Sequence, residues 1–79
     1  MTKYYYGAYQ RGQRYIVITP AYKTHDEAWQ AFEQRDKQIR EKHRAWHLGN
    51  LYGHWYGVLA TTDYIETDDY PHGMVEYVG

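Results

Sequence analysis

The chain has 79 residues and a net charge of −1, so it has room for a single domain (1–79) with one modest core. It contains neither cysteine nor serine, which excludes disulfides and the two commonest covalent nucleophiles. It also has no apolar signal core at its N-terminus and no apolar run of membrane-spanning length, so we expect a cytoplasmic protein without a membrane partner.

Tyrosine is unusually frequent, with 11 residues, the same number as isoleucine, leucine and valine together. Tyrosine must therefore supply much of the apolar packing, although so small a core cannot satisfy this many buried hydroxyl groups. We expect some tyrosines on half-buried strands and others at the surface, where tyrosine favours protein contacts.

Residues 3–19 predict a β-hairpin, with strands at 3–10 and 14–19 and a polar turn between them. The turn predicts that Tyr9 lies opposite Arg14. One face then carries Tyr5, Gly7, Tyr9, Ile16 and Ile18. The other face carries Tyr4, Tyr6, Ala8, Tyr15 and Val17. We assign the first face to a helix because it holds both isoleucines and a glycine that permits close approach. The second face is then predicted to be an exposed, tyrosine-rich surface.

Residues 24–47 predict one long helix. It opens with Thr24-His25-Asp26-Glu27, a capping box in which the threonine hydroxyl accepts from the N–H of Glu27 and the carboxylate reaches the N–H of Thr24. The apolar stripe consists of Ala28, Phe32, Ile39 and Trp46. Gly49 is the expected left-handed stop. About 23 residues make a helix of roughly 35 Å, which either spans the domain or breaks in its polar second half.

Residues 52–62 predict a third strand, in which a glycine beside large aromatic residues indicates a bulge or an aromatic ring lying across the gap. The remaining residues, 63–79, are acidic and turn-rich, with short strands expected at 64–67 and 74–78 and a turn at 68–73. The order β-β-α-β-β(-β) predicts an α+β fold: an antiparallel sheet of three to five strands with the long helix on one face.

No enzymatic site is expected. His43 and His47 share a helix face, as a metal-binding pair would, but Arg44 stands where a zinc protease has its catalytic glutamate, and no fourth ligand follows. No phosphate-binding loop or dinucleotide fingerprint occurs. We therefore expect neither a metal nor another cofactor, and no catalysis.

The charge is sorted along the chain. Residues 1–23 carry four cations and no acid, whereas residues 45–79 carry five acids and neither lysine nor arginine. The acids concentrate in residues 62–70, which we call the acid–tyrosine segment. Its candidate partner-binding residues are Asp63, Tyr64, Glu66, Asp68, Asp69 and Tyr70. The segment can be a solvated loop, a contact surface for a basic protein, or an imitation of the phosphates and bases of a nucleic acid.

The small size, the lack of cysteine, the aromatic strands and the acid–tyrosine segment resemble the small phage and mobile-element proteins that inhibit host defence, among them the anti-CRISPR proteins. This resemblance implies a stoichiometric inhibitor whose partner is a basic protein of the host, such as a nucleic-acid-binding complex.

Two alternatives use the N-terminal hairpin instead. A single-stranded nucleic-acid-binding module would combine stacking rings with cations on one hairpin. Its candidate residues are Tyr4, Tyr6, Arg11, Arg14 and Tyr15. In the other alternative, the exposed tyrosine face is the interface of a homodimer.

Overall fold

The fold consists of four strands and one helix. The computed structural model describes residues 2–42, 55–67 and 75–78, with Arg11 and residues 75–78 described by their backbone alone. The elements are β1 (Tyr4–Arg11), β2 (Arg14–Val17), α1 (His25–Lys42), β3 (Trp55–Thr61) and β4 (Val75–Val78). The strands form one antiparallel sheet in the order β3-β1-β2-β4, and α1 packs on β1 and β3. The predicted α+β class and the β-β-α-β-β order are therefore confirmed.

The hairpin turn sets the register of β1 and β2. Arg11 pairs with Arg14, which leaves Gly12 and Gln13 as the two central residues of the turn. Among the described non-glycine residues none has positive φ, and Gly12 has φ of 63°, which is the pattern of a type II′ turn. Tyr9 consequently pairs with Ile16, so the predicted pairing with Arg14 is wrong by two residues. A slip of two residues keeps every side chain on its predicted face.

Strand β2 leaves the ladder two residues earlier than predicted, at Val17. Beyond it, the N–H of Ile18 still donates to the carbonyl of Gly7 at 2.8 Å. The N–H of Gly7 instead donates to the buried Thr19 hydroxyl at 2.7 Å. Backbone pairing resumes at Tyr22, which exchanges hydrogen bonds of 2.9 and 3.0 Å with Tyr5. The Thr19 side chain thus satisfies a buried backbone donor where the chain bulges away from β1.

The capping box at the start of α1 is confirmed in part. The Thr24 hydroxyl accepts a hydrogen bond of 3.3 Å from the N–H of Glu27, as predicted. It also donates to Glu27 Oε1 at 3.0 Å, so the carboxylate meets the hydroxyl of Thr24 and not its backbone N–H. The described helix ends at Lys42. The predicted continuation to residue 47, the stop at Gly49 and the candidate pair His43 and His47 lie outside the described residues.

The first face of the sheet packs against α1, as predicted. Tyr9, Ile18, Phe32 and Ile39 form a buried cluster with Ile16 at its border. Gly7 makes this approach possible, because a Cβ on it would lie 2.7 Å from the Cβ of Phe32. The stripe residues Ala28, Phe32 and Ile39 are buried, whereas Trp46 lies outside the described residues. At the edge of this layer, Asp36 accepts a hydrogen bond from the Tyr9 hydroxyl and pairs with Arg40 at 3.0 Å.

The second face of the sheet is not the exposed tyrosine surface that the sequence predicts. Tyr6 is 0% exposed and belongs to a second buried cluster. The members of this cluster are Tyr6, Ala8, Val17 and Ile65, with Tyr4, Ala21 and Leu59 packed at its border. The cover is the irregular chain after β3, in which Ile65 is buried and residues 64–67 form no strand. The second face is therefore covered around Tyr6, so the open tyrosine face on which the homodimer alternative depends is not formed there.

Candidate functional site

The described part of the acid–tyrosine segment, residues 62–67, follows β3 directly and turns back over the sheet. The N–H of Asp63 donates a hydrogen bond of 3.1 Å to the hydroxyl of Thr61, the last residue of β3. This is the local side-chain bond by which threonine starts a turn. Asp68, Asp69 and Tyr70 lie outside the described residues.

Ile65 anchors the segment. Its side chain is 7% exposed and packs on Tyr6, Ala8 and Val17. Its backbone N–H donates a hydrogen bond of 2.7 Å to the Tyr6 hydroxyl in a buried setting. Tyrosine rings enter a core readily when the hydroxyl finds a partner, and here that partner is the backbone of the covering segment. The apolar packing of Ile65 and its backbone hydrogen bond therefore hold the segment on the sheet.

The residues on either side of Ile65 remain at the surface. Tyr64 is 63% exposed, although its ring packs edge-on against Tyr4, with the ring centres 5.4 Å apart at an angle of 70°. Asp63 and Glu66 are also exposed. Three of the six predicted partner-binding residues are thus brought to one surface, around an aromatic ring that is supported from one side.

The two arginines of the hairpin lie at the opposite end of β1 from Tyr64. Tyr4, under Tyr64, begins the strand, and Arg11 ends it beside the exposed Arg14. Seven steps of about 3.4 Å separate the two ends by roughly 24 Å. Lys3 and Lys23, however, lie near the Tyr4 end, since Lys23 follows Tyr22, which pairs with Tyr5. The charge gradient of the sequence is therefore not reproduced as a gradient across the domain.

The candidate nucleic-acid-binding residues do not form the predicted stacking platform. Tyr6 is buried, and its hydroxyl is taken up by Ile65. Tyr4 is half-buried under Tyr64, and Tyr15 is half-buried with its ring edge-on to Trp55 at 6.3 Å. Arg14 is exposed, and the side chain of Arg11 lies outside the described atoms. An aromatic ring that stacks a base needs an open face, which Tyr6 lacks.

A second group of exposed aromatic residues was not singled out from the sequence. Trp29 is 37%, Trp55 39% and Tyr56 54% exposed. Trp29 and Tyr56 flank Phe32 in nearly parallel stacks, with ring centres 5.6 and 5.8 Å from it. A Cβ on Gly57 would come 3.2 Å from Trp55, so the predicted aromatic ring across a glycine gap is confirmed. Trp55 and Tyr56 are exposed because β3 is an edge strand, and the hydrophobic pattern of the sequence does not show which strand lies at the edge.

Comparisons with protein-family models, curated proteins and solved structures found no match for this chain.

Two further searches concern only the described residues. They contain no group of three or more histidine, aspartate or glutamate side chains placed to hold a metal ion. They also contain no helix that is long and apolar enough to cross a membrane.

Proposed function

We propose that this protein is a non-enzymatic interaction module that binds a basic protein through Asp63, Tyr64 and Glu66. The observation that carries the proposal is the anchoring of Ile65 under an exposed tyrosine. Because Ile65 and its bond to Tyr6 hold the backbone, Tyr64 is presented with little conformational freedom left to lose on binding. A stiff, amphipathic ring of this kind is a common anchor of protein interfaces.

The charge of the surface favours a basic partner. Residues 45–79 hold five acids and neither lysine nor arginine, so this part of the sequence carries a net negative charge. Clustered carboxylates repel one another and attract a cationic surface over a distance of about a Debye length, roughly 8 Å at physiological salt. Asp68, Asp69 and Tyr70 follow in the sequence and add two more carboxylates and one more aromatic ring.

The mode of action that we propose is stoichiometric inhibition. A basic protein that handles nucleic acid exposes lysine and arginine side chains to phosphates, and carboxylates set beside an aromatic ring can occupy the same positions. This is the action that the resemblance to small anti-CRISPR proteins implies. The single-stranded nucleic-acid-binding alternative is not favoured by the described geometry, since Tyr6 is buried.

The first experiment captures a partner on the immobilised protein from host lysate, with and without nuclease. The captured protein is then used in a kinetic binding series against Asp63→Asn/Glu66→Gln and against Tyr64→Ala. We expect the carboxamide variant to slow association, most strongly at low salt, because electrostatic steering acts on the encounter. We expect Tyr64→Ala to speed dissociation, because a lost aromatic anchor acts on the formed complex.

The matched control is Asp26→Asn/Glu33→Gln, which removes the same charge from exposed positions of α1. Equal slowing by both pairs would assign the effect to net charge and refute the site. If the partner is no longer captured after nuclease treatment, the protein binds nucleic acid and the proposed protein partner is refuted.

A further inference from the structure

Strand β3 forms one border of the sheet. It pairs with β1 over seven consecutive residues, from Tyr4 with Thr61 to Gln10 with Trp55, without a break in register. Among the described residues, none pairs with its other edge. An edge of this length offers a row of backbone donors and acceptors to another strand.

The hydrogen bonds of β1 show which residues of β3 face outward. Tyr5 and Gly7 direct their backbone groups away from β3, toward Tyr22 and Ile18. Antiparallel pairs alternate in this respect, so the even-numbered residues of β1 bond to β3. Their partners in β3 are Gly57, Leu59 and Thr61, together with Trp55. The N–H and C=O groups of Tyr56, Val58 and Ala60 therefore point outward.

The outer strand lacks two of the usual protections of an edge strand. From Trp55 to Thr61 it contains no charged side chain and no proline. Natural edge strands commonly carry lysine, proline or inward-pointing charges, because an edge strand without them can pair with other chains. Strand β4, at the opposite border, contains Glu76. Of the two edge strands, β4 thus carries a charged residue and β3 carries none.

We propose that a second copy of this chain pairs with β3, antiparallel and related by a two-fold axis through Val58. Self-pairing brings the residues at and beside the two-fold axis near their own copies, so a charge at those positions would meet a like charge. The absence of charge on β3 removes that obstacle. A partner of another kind would place no such demand on the strand.

The large and small residues of β3 suit this register. Tyr56 lies opposite Ala60 of the second copy, and Leu59 lies opposite Gly57. Trp55 likewise meets the smaller Thr61. All three outward residues find reciprocal partners, since Val58 meets Val58 and Tyr56 meets Ala60. Trp29 extends the surface from α1, because its ring lies 3.8 Å from the position of a Cβ on Gly57.

The test is analytical ultracentrifugation of the full chain across a dilution series. We expect the mass to approach twice the 9.6 kDa of one chain as concentration rises. Ala60→Pro removes an outward N–H from an exposed residue without breaking a bond to β1, so it should return the mass to that of one chain. Ala60→Lys is the second variant, because it places a long charged side chain opposite Tyr56 of the second copy, where the small alanine fits, and should also abolish the dimer.

The matched control is Gln13→Lys, which adds the same charge at the exposed hairpin turn and should leave the dimer intact. A wild-type chain that stays monomeric at every concentration overturns the proposal. So does a dimer that survives both Ala60 variants, or one that Gln13→Lys abolishes as fully as Ala60→Lys. Circular dichroism of each variant establishes that it is folded. The dimer does not depend on the acid–tyrosine segment, so it can be refuted without affecting the proposed function.

Discussion

The backbone N–H of Ile65 donates a hydrogen bond of 2.7 Å to the phenol oxygen of Tyr6, across 59 residues of sequence. Tyr6 lies in the middle of β1, and Ile65 lies in irregular chain beyond β3. The bond therefore joins the central strand of the sheet to the segment that covers its second face. It satisfies two buried polar groups at once, because the Tyr6 hydroxyl and the Ile65 N–H each need a hydrogen-bond partner.

Tyr6→Phe tests this bond. The substitution keeps the ring and removes the acceptor, which leaves the Ile65 N–H buried and unpaired at a cost of about 1–3 kcal/mol. Urea unfolding measures the cost, and faster hydrogen exchange at the Ile65 amide locates it. Tyr64→Phe is the control, because its ring is largely exposed and should change stability by less than about 0.5 kcal/mol. Equal effects from both variants would contradict the role given to Tyr6.

Thr19→Val tests the bulge after β2. Valine has nearly the same shape, but it cannot accept the hydrogen bond that the N–H of Gly7 donates at 2.7 Å. We expect the free energy of unfolding to fall by about 1–3 kcal/mol, because the Gly7 N–H then stays buried without a hydrogen-bond acceptor. Thr19→Ser keeps the hydroxyl and should lose less. A Thr19→Val variant with the same melting temperature as the wild type would show that another group accepts the hydrogen bond of the Gly7 N–H.

Gly7→Ala tests the approach of α1 to the sheet. The added Cβ would lie 2.7 Å from both Phe32 Cβ and Thr19 Cγ2, atoms that sit close to the backbone and cannot swing away. Overpacking of this kind costs about 1–3 kcal/mol or more. Thr19→Ser removes one of the two obstructing atoms, so the double variant should be more stable than the sum of the single effects. If the stability changes of the two single variants, measured by urea unfolding, simply add in the double variant, the contact with Thr19 does not contribute to the cost of Gly7→Ala.

The faces of the hairpin could be read from alternation alone, and the reason is physical. Tyr9, Ile16 and Ile18 share one side of the pleat whatever the register, provided that the register slips by an even number of residues. The pairing of Tyr9 with Arg14 was wrong because it depends on which residues form the turn. Gly12 decides that through its positive φ, which composition indicates only loosely.

The burial of the second face could not be predicted, because no periodic element covers it. Tyr6 and Val17 alternate with the helix-facing residues just as the residues of a solvated face would. The cover depends on Ile65, one apolar residue in an acidic stretch that was read as a possible strand or a turn-rich loop. A single anchor residue leaves no periodic signal, so the support that Ile65 gives to the exposed Tyr64 could not be predicted from the sequence.

The aromatic layer between α1 and the sheet gives the largest expected loss of stability. Phe32 is 2% exposed, and its ring lies nearly parallel to Trp29 and Tyr56, at interplanar angles of 19° and 4°. It also packs on Tyr9, with ring centres 5.3 Å apart. Removing the ring therefore loses the free energy of burying it and leaves a cavity between these three rings, since α1 and the sheet cannot collapse fully around alanine.

We expect Phe32→Ala to cost about 3–5 kcal/mol, whereas Phe32→Leu should cost less because it retains most of the volume. A domain of this length has a total stability of roughly 4–12 kcal/mol, so the alanine variant should be partly unfolded at moderate temperature. Trp29→Ala is the comparison, because Trp29 lies on the same stack but is 37% exposed and should cost less than Phe32→Ala. The measurement is the urea midpoint of the three variants. A midpoint of Phe32→Ala equal to that of the wild type would contradict the packing of this face against the sheet.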